Sequence, residues 1–208
     1  MNFIKKKNKL SELSEVYFQN HAKRSMILEI THIYINDNDN SKMFNLTKNQ
    51  PKTIVFGQSG YAEIRTDVIT GNRSLFSKKA YEINDLICPF FWDKVYDSPT
   101  YLTVQIGENE HVELLPTFLE CTNHSCEPNC FFDTSKKQLI CVAPIEIGDE
   151  LTFFYPSAEW DMDKPFVCMC GSKHCVGMVK GAKYLPENAL KHHRFTDFIQ
   201  QKLNLNYK

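Results

Sequence analysis

The 208-residue chain reads as a mainly β domain of the α+β class that closes with a terminal helix. Three observations point there. Short runs rich in β-branched and aromatic residues recur between Thr53 and Phe154, broken by Gly, Pro, Asn and Asp. No regular strand–helix alternation accompanies them, which argues against a doubly wound parallel sheet. The last helical pattern follows a dense cysteine cluster and starts at Pro186-Glu187-Asn188.

Taken in order, residues 10–24 carry weak helical patterning, with Leu10, Leu13, Val16 and Tyr17 on one face. Ile27 to Ile35 alternates like a strand, and Asn36 to Ser41 has the composition of a turn or linker. Residues 1–50 are therefore set apart as an N-terminal region of unclear role. The strand candidates are Thr53–Phe56, Tyr61–Thr66, Leu86–Phe91, Tyr101–Ile106, Val112–Leu114, Cys130–Asp133, Leu139–Ala143 and Leu151–Phe154. In the terminal helix, Leu190, Phe195, Phe198, Ile199 and Leu203 form an apolar stripe suited to docking on the main domain.

Composition narrows the function classes. Hydrophobic residues make up 42% and aromatics 12%, enough for a packed core. A net charge of −1 supplies no global field for nucleic acid. Lys5, Lys6, Lys7 and Lys9 form a local basic cluster that reads as a solvated terminus. No apolar run of signal-peptide or membrane-spanning length appears, so neither cleaved secretion nor a membrane span is expected. Eight cysteines without a secretion signal then suggest a reducing compartment. Cys88, Cys121, Cys130 and Cys141 sit in apolar, strand-like surroundings and read as buried thiols.

The segment Cys168-Met169-Cys170-Gly171-Ser172-Lys173-His174-Cys175 packs three thiols into one short run. A closed tetrahedral zinc site needs a fourth ligand, and Cys126 is placed to supply it. Cys130 is its rival for that place, and His174 reads as an exposed neighbour rather than a ligand. Gly171 and Gly177 allow the backbone to wrap around a small ion. Unconnected or disulfide-paired thiols are the bland alternative. Cys126 belongs to Asn123-His124-Ser125-Cys126-Glu127-Pro128-Asn129, a polar turn stiffened by Pro128. A Cys–His nucleophile there would require Cys126 to abandon the metal.

These motifs together resemble the SET-domain protein lysine methyltransferases with a post-SET zinc module, in a short bacterial-type form. Asn123–Asn129 matches the family's Asn-His-Ser-Cys-x-Pro-Asn, and Gly148–Tyr155 is similar to its Gly-Glu-Glu-Leu-Thr-Phe-Asp-Tyr. Cys168, Cys170 and Cys175 match the post-SET cysteines, and Asn72–Ser77 is similar to the Gly-x-Gly-Leu/Val-Phe-Ala opening. The sequence departs from the pattern at Ser74 for a glycine, Glu120 for an arginine and Phe154 for an aspartate. Likeness extends over about residues 58–181.

The resemblance implies a SET-domain β-clip fold: small sheets, a pseudoknot where the signature segments cross, a post-SET zinc loop and a terminal helix. Its boundaries would be 51–165 for the SET domain, 166–181 for the zinc module and 182–208 for the helix. It implies S-adenosylmethionine as cofactor, held by Asn123, His124, Arg73, Ser74 and Tyr155, and structural Zn2+ on Cys126, Cys168, Cys170 and Cys175. It implies catalytic places for Tyr155, which directs the amine, for Tyr101 as channel wall, and for Phe153, whose missing hydroxyl leaves room for di- or trimethylation. Trp160 and Phe166 would cover the cofactor or pack beneath the zinc loop. The partner would be a lysine-bearing protein or peptide, a histone or another protein, with no nucleic acid and no membrane. The rival class is a SET-like, zinc-braced interaction module without turnover. Asn- and Lys-rich composition suggests a bacterial source, with the protein cytoplasmic or an effector in a host nucleus.

Overall fold

A computed structural model describes residues 53–206. The helix expected over 10–24 and the strand over 27–35 lie outside the described residues. Among the described residues twelve short strands follow in chain order. The first six are β1 (Thr53–Gln58), β2 (Ala62–Asp67), β3 (Arg73–Ser77), β4 (Leu86–Pro89), β5 (Thr103–Gly107) and β6 (Glu110–Glu113). After them come β7 (Asn123–His124), β8 (Cys130–Asp133), β9 (Gln138–Cys141), β10 (Thr152–Phe153), β11 (Phe166–Val167) and β12 (Met178–Val179).

They form five small sheets instead of one large one. Strands β1, β2 and β3 make an antiparallel sheet, as do β4, β9 and β8. The pairs β5–β6 and β11–β12 are antiparallel, whereas β7 and β10 run parallel. Eight candidate strand regions correspond to observed strands, with ends displaced by a few residues. Pro89, which has no amide hydrogen to donate, ends β4 where the apolar run continues to Phe91. Strand β3 was legible only as a motif. It is extended because it pairs with β2 from Ala62↔Ser77 to Thr66↔Arg73, burying Leu75.

The segment from Gly148 to Phe153 is enclosed on several sides. On one edge Ser77 N–H donates to Asp149 O at 2.8 Å and Leu151 N–H to Leu75 O at 2.7 Å. On another, Thr152 and Phe153 pair with Asn123 and His124. The Asn129 amide imitates a neighbouring strand: its Nδ2 donates to Glu150 O at 2.8 Å, and its Oδ1 accepts from Thr152 N at 2.9 Å. The two signature segments thus lie side by side, held by the parallel pairing of β7 with β10 and by the Asn129 amide.

Two apolar clusters result. The larger gathers Leu75, Ile87, Phe132, Leu139, Ile145, Leu151 and Phe153 between the sheets. The smaller contains Cys126, Phe154 and Cys168 together with Val179, Phe195, Ile199 and Leu203. Tyr155 touches both. Cys88, Cys121, Cys130 and Cys141 are buried free thiols, as expected.

The terminal helix is two helices, α1 (Glu187–His192) and α2 (Asp197–Asn206). His193 is extended, with φ −108 and ψ 153, and its ring stacks on Phe154 at 3.7 Å and 10°. Its Nδ1 faces Ala189 O at 2.9 Å and its Nε2 faces Cys126 O at 3.0 Å. Both partners are acceptors, so both bonds form only when both ring nitrogens carry hydrogen. A continuous helix would carry this ring away from Phe154 and Cys126. The predicted docking stripe survives the break, since Phe195, Ile199 and Leu203 are buried.

Asn129→Ala should lower stability by about 1–2 kcal/mol, because it leaves one half-buried donor and one half-buried acceptor without their protein partner. Urea unfolding followed by fluorescence measures this directly, and a loss below about 0.5 kcal/mol would remove Asn129 from this role.

Candidate active site and metal centre

Four cysteines converge from two distant parts of the chain. Cys126 leaves the turn after β7, and Cys168, Cys170 and Cys175 come from the loop joining β11 to β12. Their sulfurs all lie within 4.8 Å of one another, with Cys126 Sγ to Cys168 Sγ at 3.8 Å. Tetrahedral zinc with sulfur at about 2.3 Å requires sulfur–sulfur separations of about 3.8 Å. Backbone amides already point at the sulfurs: Val176 N–H at Cys126 Sγ, 3.5 Å, and Gly177 N–H at Cys175 Sγ, 3.4 Å. Gly171 and Gly177 both take φ +71, the left-handed region that the tight wrap requires.

Burial pushes the Cys126 and Cys168 thiols upward. Cys170 goes the other way, to about 7, because amide donors led by Ser172 N–H outweigh its slight burial. Four soft sulfur donors in this arrangement fit zinc, the choice for closed thiolate sites. Cys130, the rival ligand, is committed to β8 and donates to Asn129 Oδ1 at 3.3 Å. His174 instead meets Glu127 Oε1 at 3.1 Å and the His192 ring at 4.2 Å.

Beside the cluster lie Asn123 and His124. Asn123 Nδ2 donates to Arg73 O at 3.1 Å, Ser74 Oγ at 2.8 Å and Glu150 Oε1 at 2.8 Å. His124 Nδ1 accepts from Tyr155 N–H at 3.3 Å, which leaves the hydrogen of the neutral ring on Nε2, 3.3 Å from Cys126 Sγ. Burial, then the nearby His193, drive its imidazole down to about 4. Both ring nitrogens are thus engaged inside the protein, one of them on a metal-site sulfur, as outer-shell histidines of metal sites are. What His124 can offer a cofactor is backbone and ring face. Phe166 completes the aromatic group, 5.6 Å from the His124 ring and 5.9 Å from Tyr155. Trp160 packs against the smaller apolar cluster, with Lys202 Nζ over its ring at 5.2 Å.

Each departure from the family pattern has a partner. Glu120 Oε1 accepts from Arg73 Nη1 at 2.7 Å, so the acid pairs with an arginine of the opening strand. Ser74 accepts from Asn123, and Phe154 carries the His193 ring. The partners lie far off in sequence, which hid them.

A cavity of about 250 Å³ opens next to this group, with Phe132, Phe153, Tyr155, Leu119 and Phe166 among its walls. Tyr101 stands at its rim, 72% exposed. Phe153 lies between Phe132, edge-to-face at 4.7 Å, and Tyr155, tilted at 4.6 Å. The Tyr155 hydroxyl donates to Thr122 O at 3.2 Å, and burial followed by the Glu150 charge pushes it up to about 12. It is a neutral phenol at physiological pH. The predicted residues fall into two groups: Tyr155, Phe153 and Tyr101 line the cavity, and Asn123, Arg73 and Ser74 bond to one another without lining it.

Sequence reasoning missed Glu159. It is 8% exposed and lines the same cavity. Its Oε1 accepts from Gln105 N–H at 3.1 Å, and burial pushes its carboxyl up to about 8 against that bond. Nothing in the run Pro156-Ser157-Ala158-Glu159-Trp160 distinguishes it from a surface acid.

The model of the SET domain family matches residues 3–156, and the chain belongs to that family. The match ends before the cysteine loop. Among curated relatives, the methyltransferase flvH of Aspergillus flavus is 40% identical over 106 residues, which is 50% of this chain and 59% of the relative. A histone-lysine N-methyltransferase of Aspergillus oryzae, H3 lysine-4 specific, is 29% identical over 65% of this chain and 12% of its own length. An H3 lysine-36 specific enzyme of Chaetomium globosum is 36% identical over 33% of this chain and 8% of its own. The chain therefore spans about three fifths of the first relative and small fractions of the others.

Two outcomes are expected. The purified protein carries about one zinc per chain, and a chelator exposes the amides of residues 166–181 to hydrogen exchange before those of the central sheets. Glu159 binds a proton in the fold that it loses when unfolded, between its ordinary value of 4.5 and about 8. Its burial therefore costs stability as pH rises through that window, by at most about 1.4 kcal/mol per pH unit. Glu159→Gln, relative to wild type, should become progressively more stable from pH 4.5 to 8 in parallel denaturation series; a constant difference would contradict the burial.

Proposed function

We propose that the chain is an S-adenosylmethionine-dependent protein lysine N-methyltransferase with its zinc site in a structural role. The observation that carries this reading is the cavity in which Tyr155, Phe153 and Tyr101 meet, directly beside the Asn123–Cys126 turn. Support for a cofactor fit comes from the groups around β7. The Asn123 amide oxygen makes no bond among the described residues, Glu150 lies beside it, and the Tyr155 and Phe166 rings flank the neighbouring His124. Asn123, the His124 backbone, the Arg73–Ser74 strand and Phe166 would hold S-adenosylmethionine. When bound, it supplies an electrophilic methyl group on a sulfonium.

The rest falls to the protein. A lysine of ordinary pKa, about 10.4, must be presented neutral, at a cost of about 4 kcal/mol at neutral pH. Walls made of Phe132, Phe153, Leu119 and Phe166 reduce that cost by disfavouring the ammonium. Tyr155 has its proton committed to Thr122 O and keeps lone pairs free, so it directs the amine as an acceptor and does not act as a base. Confining the amine in one orientation contributes the remainder. Phe153 offers no hydroxyl to anchor a water, which supports di- or trimethylation. A protein or peptide lysine, in a histone or elsewhere, is the substrate class this reading takes. The non-catalytic interaction module is the rival reading; the family departures that favour it each have a partner contact in the fold.

Transfer of labelled methyl to lysates and nucleosomes is the test. Wild type is expected to label protein, and Tyr155→Phe to lower turnover by about 10-fold or more while cofactor binding measured by calorimetry is retained. Cofactor binding without any transfer would favour the interaction module. Phe153→Tyr should shift the products toward monomethyl-lysine by mass spectrometry. Wild type that is strictly monomethylating, with Phe153→Tyr unchanged, would overturn the assignment of product extent.

A further inference from the structure

The cavity wall carries one group that the proposed mechanism leaves unused. Glu159 follows Tyr155 by a single 3-10 turn, closed by Ala158 N–H to Tyr155 O at 3.1 Å. The turn is then fastened along β5: Gln105 N–H reaches both Ala158 O and Glu159 Oε1 at 3.1 Å, and Trp160 N–H donates to Gln105 Oε1 at 3.0 Å. This latching fixes the Glu159 carboxyl in the wall that Tyr155 also forms. One oxygen is used by Gln105. The other, Oε2, makes no hydrogen bond among the described residues, although the side chain is more than nine-tenths buried and borders the cavity.

A carboxyl in that position costs stability and returns nothing to the fold beyond one hydrogen bond. An oxygen that accepts nothing from the protein is available to an incoming N–H. We propose that Glu159 receives the substrate ammonium in the cavity and takes its proton before methyl transfer. This rests on reading the cavity as an amine channel. At pH 7 Glu159 first gives its own proton to water as the ammonium binds. One N–H bond of the ammonium then breaks, its electron pair stays on nitrogen, and the proton passes to Oε2 of the carboxylate. The neutral amine then faces Tyr155, and Glu159 is left protonated, as it began, when the methylated ammonium departs.

Other ionisable groups near Glu159 are accounted for. From the cavity wall these are Tyr101, Tyr155, Glu120, Asp163 and Lys164, of which Glu120 is paired with Arg73 and Lys164 lies over the Tyr101 ring at 5.4 Å. From α2, Lys202 binds Glu108 at 2.8 Å. Burial, and not any of these charges, holds the carboxyl up near 8. It is therefore mostly protonated at pH 7 and mostly ionised at about pH 9.5. A group poised near working pH is suited to proton transfer and contributes typically about 10²–10⁴-fold.

Calorimetric titration with n-butylamine, the bare chemistry of a lysine side chain, in buffers of different ionisation heat counts the protons exchanged. At pH 7 an amine that meets protonated Glu159 must release about one proton; at about pH 9.5, where Glu159 is already ionised, it releases none. That change with pH is the expected result for wild type. Glu159→Gln, which keeps an acceptor for Gln105 N–H, is expected to bind the amine about tenfold more weakly and to show one proton count at both pH values. A wild-type count independent of pH, an unchanged count in Glu159→Gln, or no amine binding at all would each overturn the proposal. The wild-type pH comparison decides it even where the variant fails to fold. Amine binding with the expected counts but no methyl transfer would leave this inference standing and remove the methyltransferase reading instead.

Discussion

Cys126 lies in one turn with two obligations. As a residue of the Asn123–Asn129 turn it helps enclose the segment that carries Phe153 and Phe154. As a sulfur donor it closes a four-thiol cluster whose other members lie more than forty residues along the chain. His124 points Nε2 at its sulfur, His193 points a ring nitrogen at its carbonyl, and Val176 donates to its sulfur. A single position therefore ties the crossing segments, the cysteine loop and the terminal helices together. Remove a metal from that cluster and the buried thiols of Cys126 and Cys168 must keep their protons in a crowded space, with only the packing of Val179 and Phe166 to hold β11 and β12 on the domain.

The same economy appears where the chain departs from its family. Glu120 in place of an arginine would be an isolated acid beside the opening strand, except that Arg73 stands opposite it. Phe154 in place of an aspartate loses a polar contact and gains a flat surface, on which His193 stacks. The interrupted helix follows from that exchange, because the ring reaches Phe154 and the Cys126 carbonyl only from an extended residue. Ser74 in place of a glycine gives Asn123 a hydroxyl to bind. These substitutions act as matched pairs and not as losses.

Much of this was legible in the chain because it depended on local pattern or on residue type at fixed spacing. The cysteines announced a metal site through thiol chemistry alone, and Cys126 was preferred over Cys130 before any geometry was known. The strand runs stood out through β-branched and aromatic content. Illegible features all depend on contacts between remote segments. Strand β3 carries little apolar alternation and is extended because β2 pairs with it. His193 carries no signal that a helix breaks there. Glu159 looks like any surface acid until β5 covers it. His124 was legible as a cofactor residue, but not the engagement of its ring by Tyr155 N–H and Cys126 Sγ.

The central claim is that one zinc ion, with Cys126 among its ligands, joins the cysteine loop to the turn beside the cavity. X-ray absorption at the zinc edge of the purified protein tests it most directly. Four sulfur scatterers at about 2.3 Å are expected, falling to three with one lighter atom in Cys126→Ser. A protein that purifies without zinc, or a wild-type shell already containing nitrogen or oxygen in place of the fourth sulfur, would contradict it.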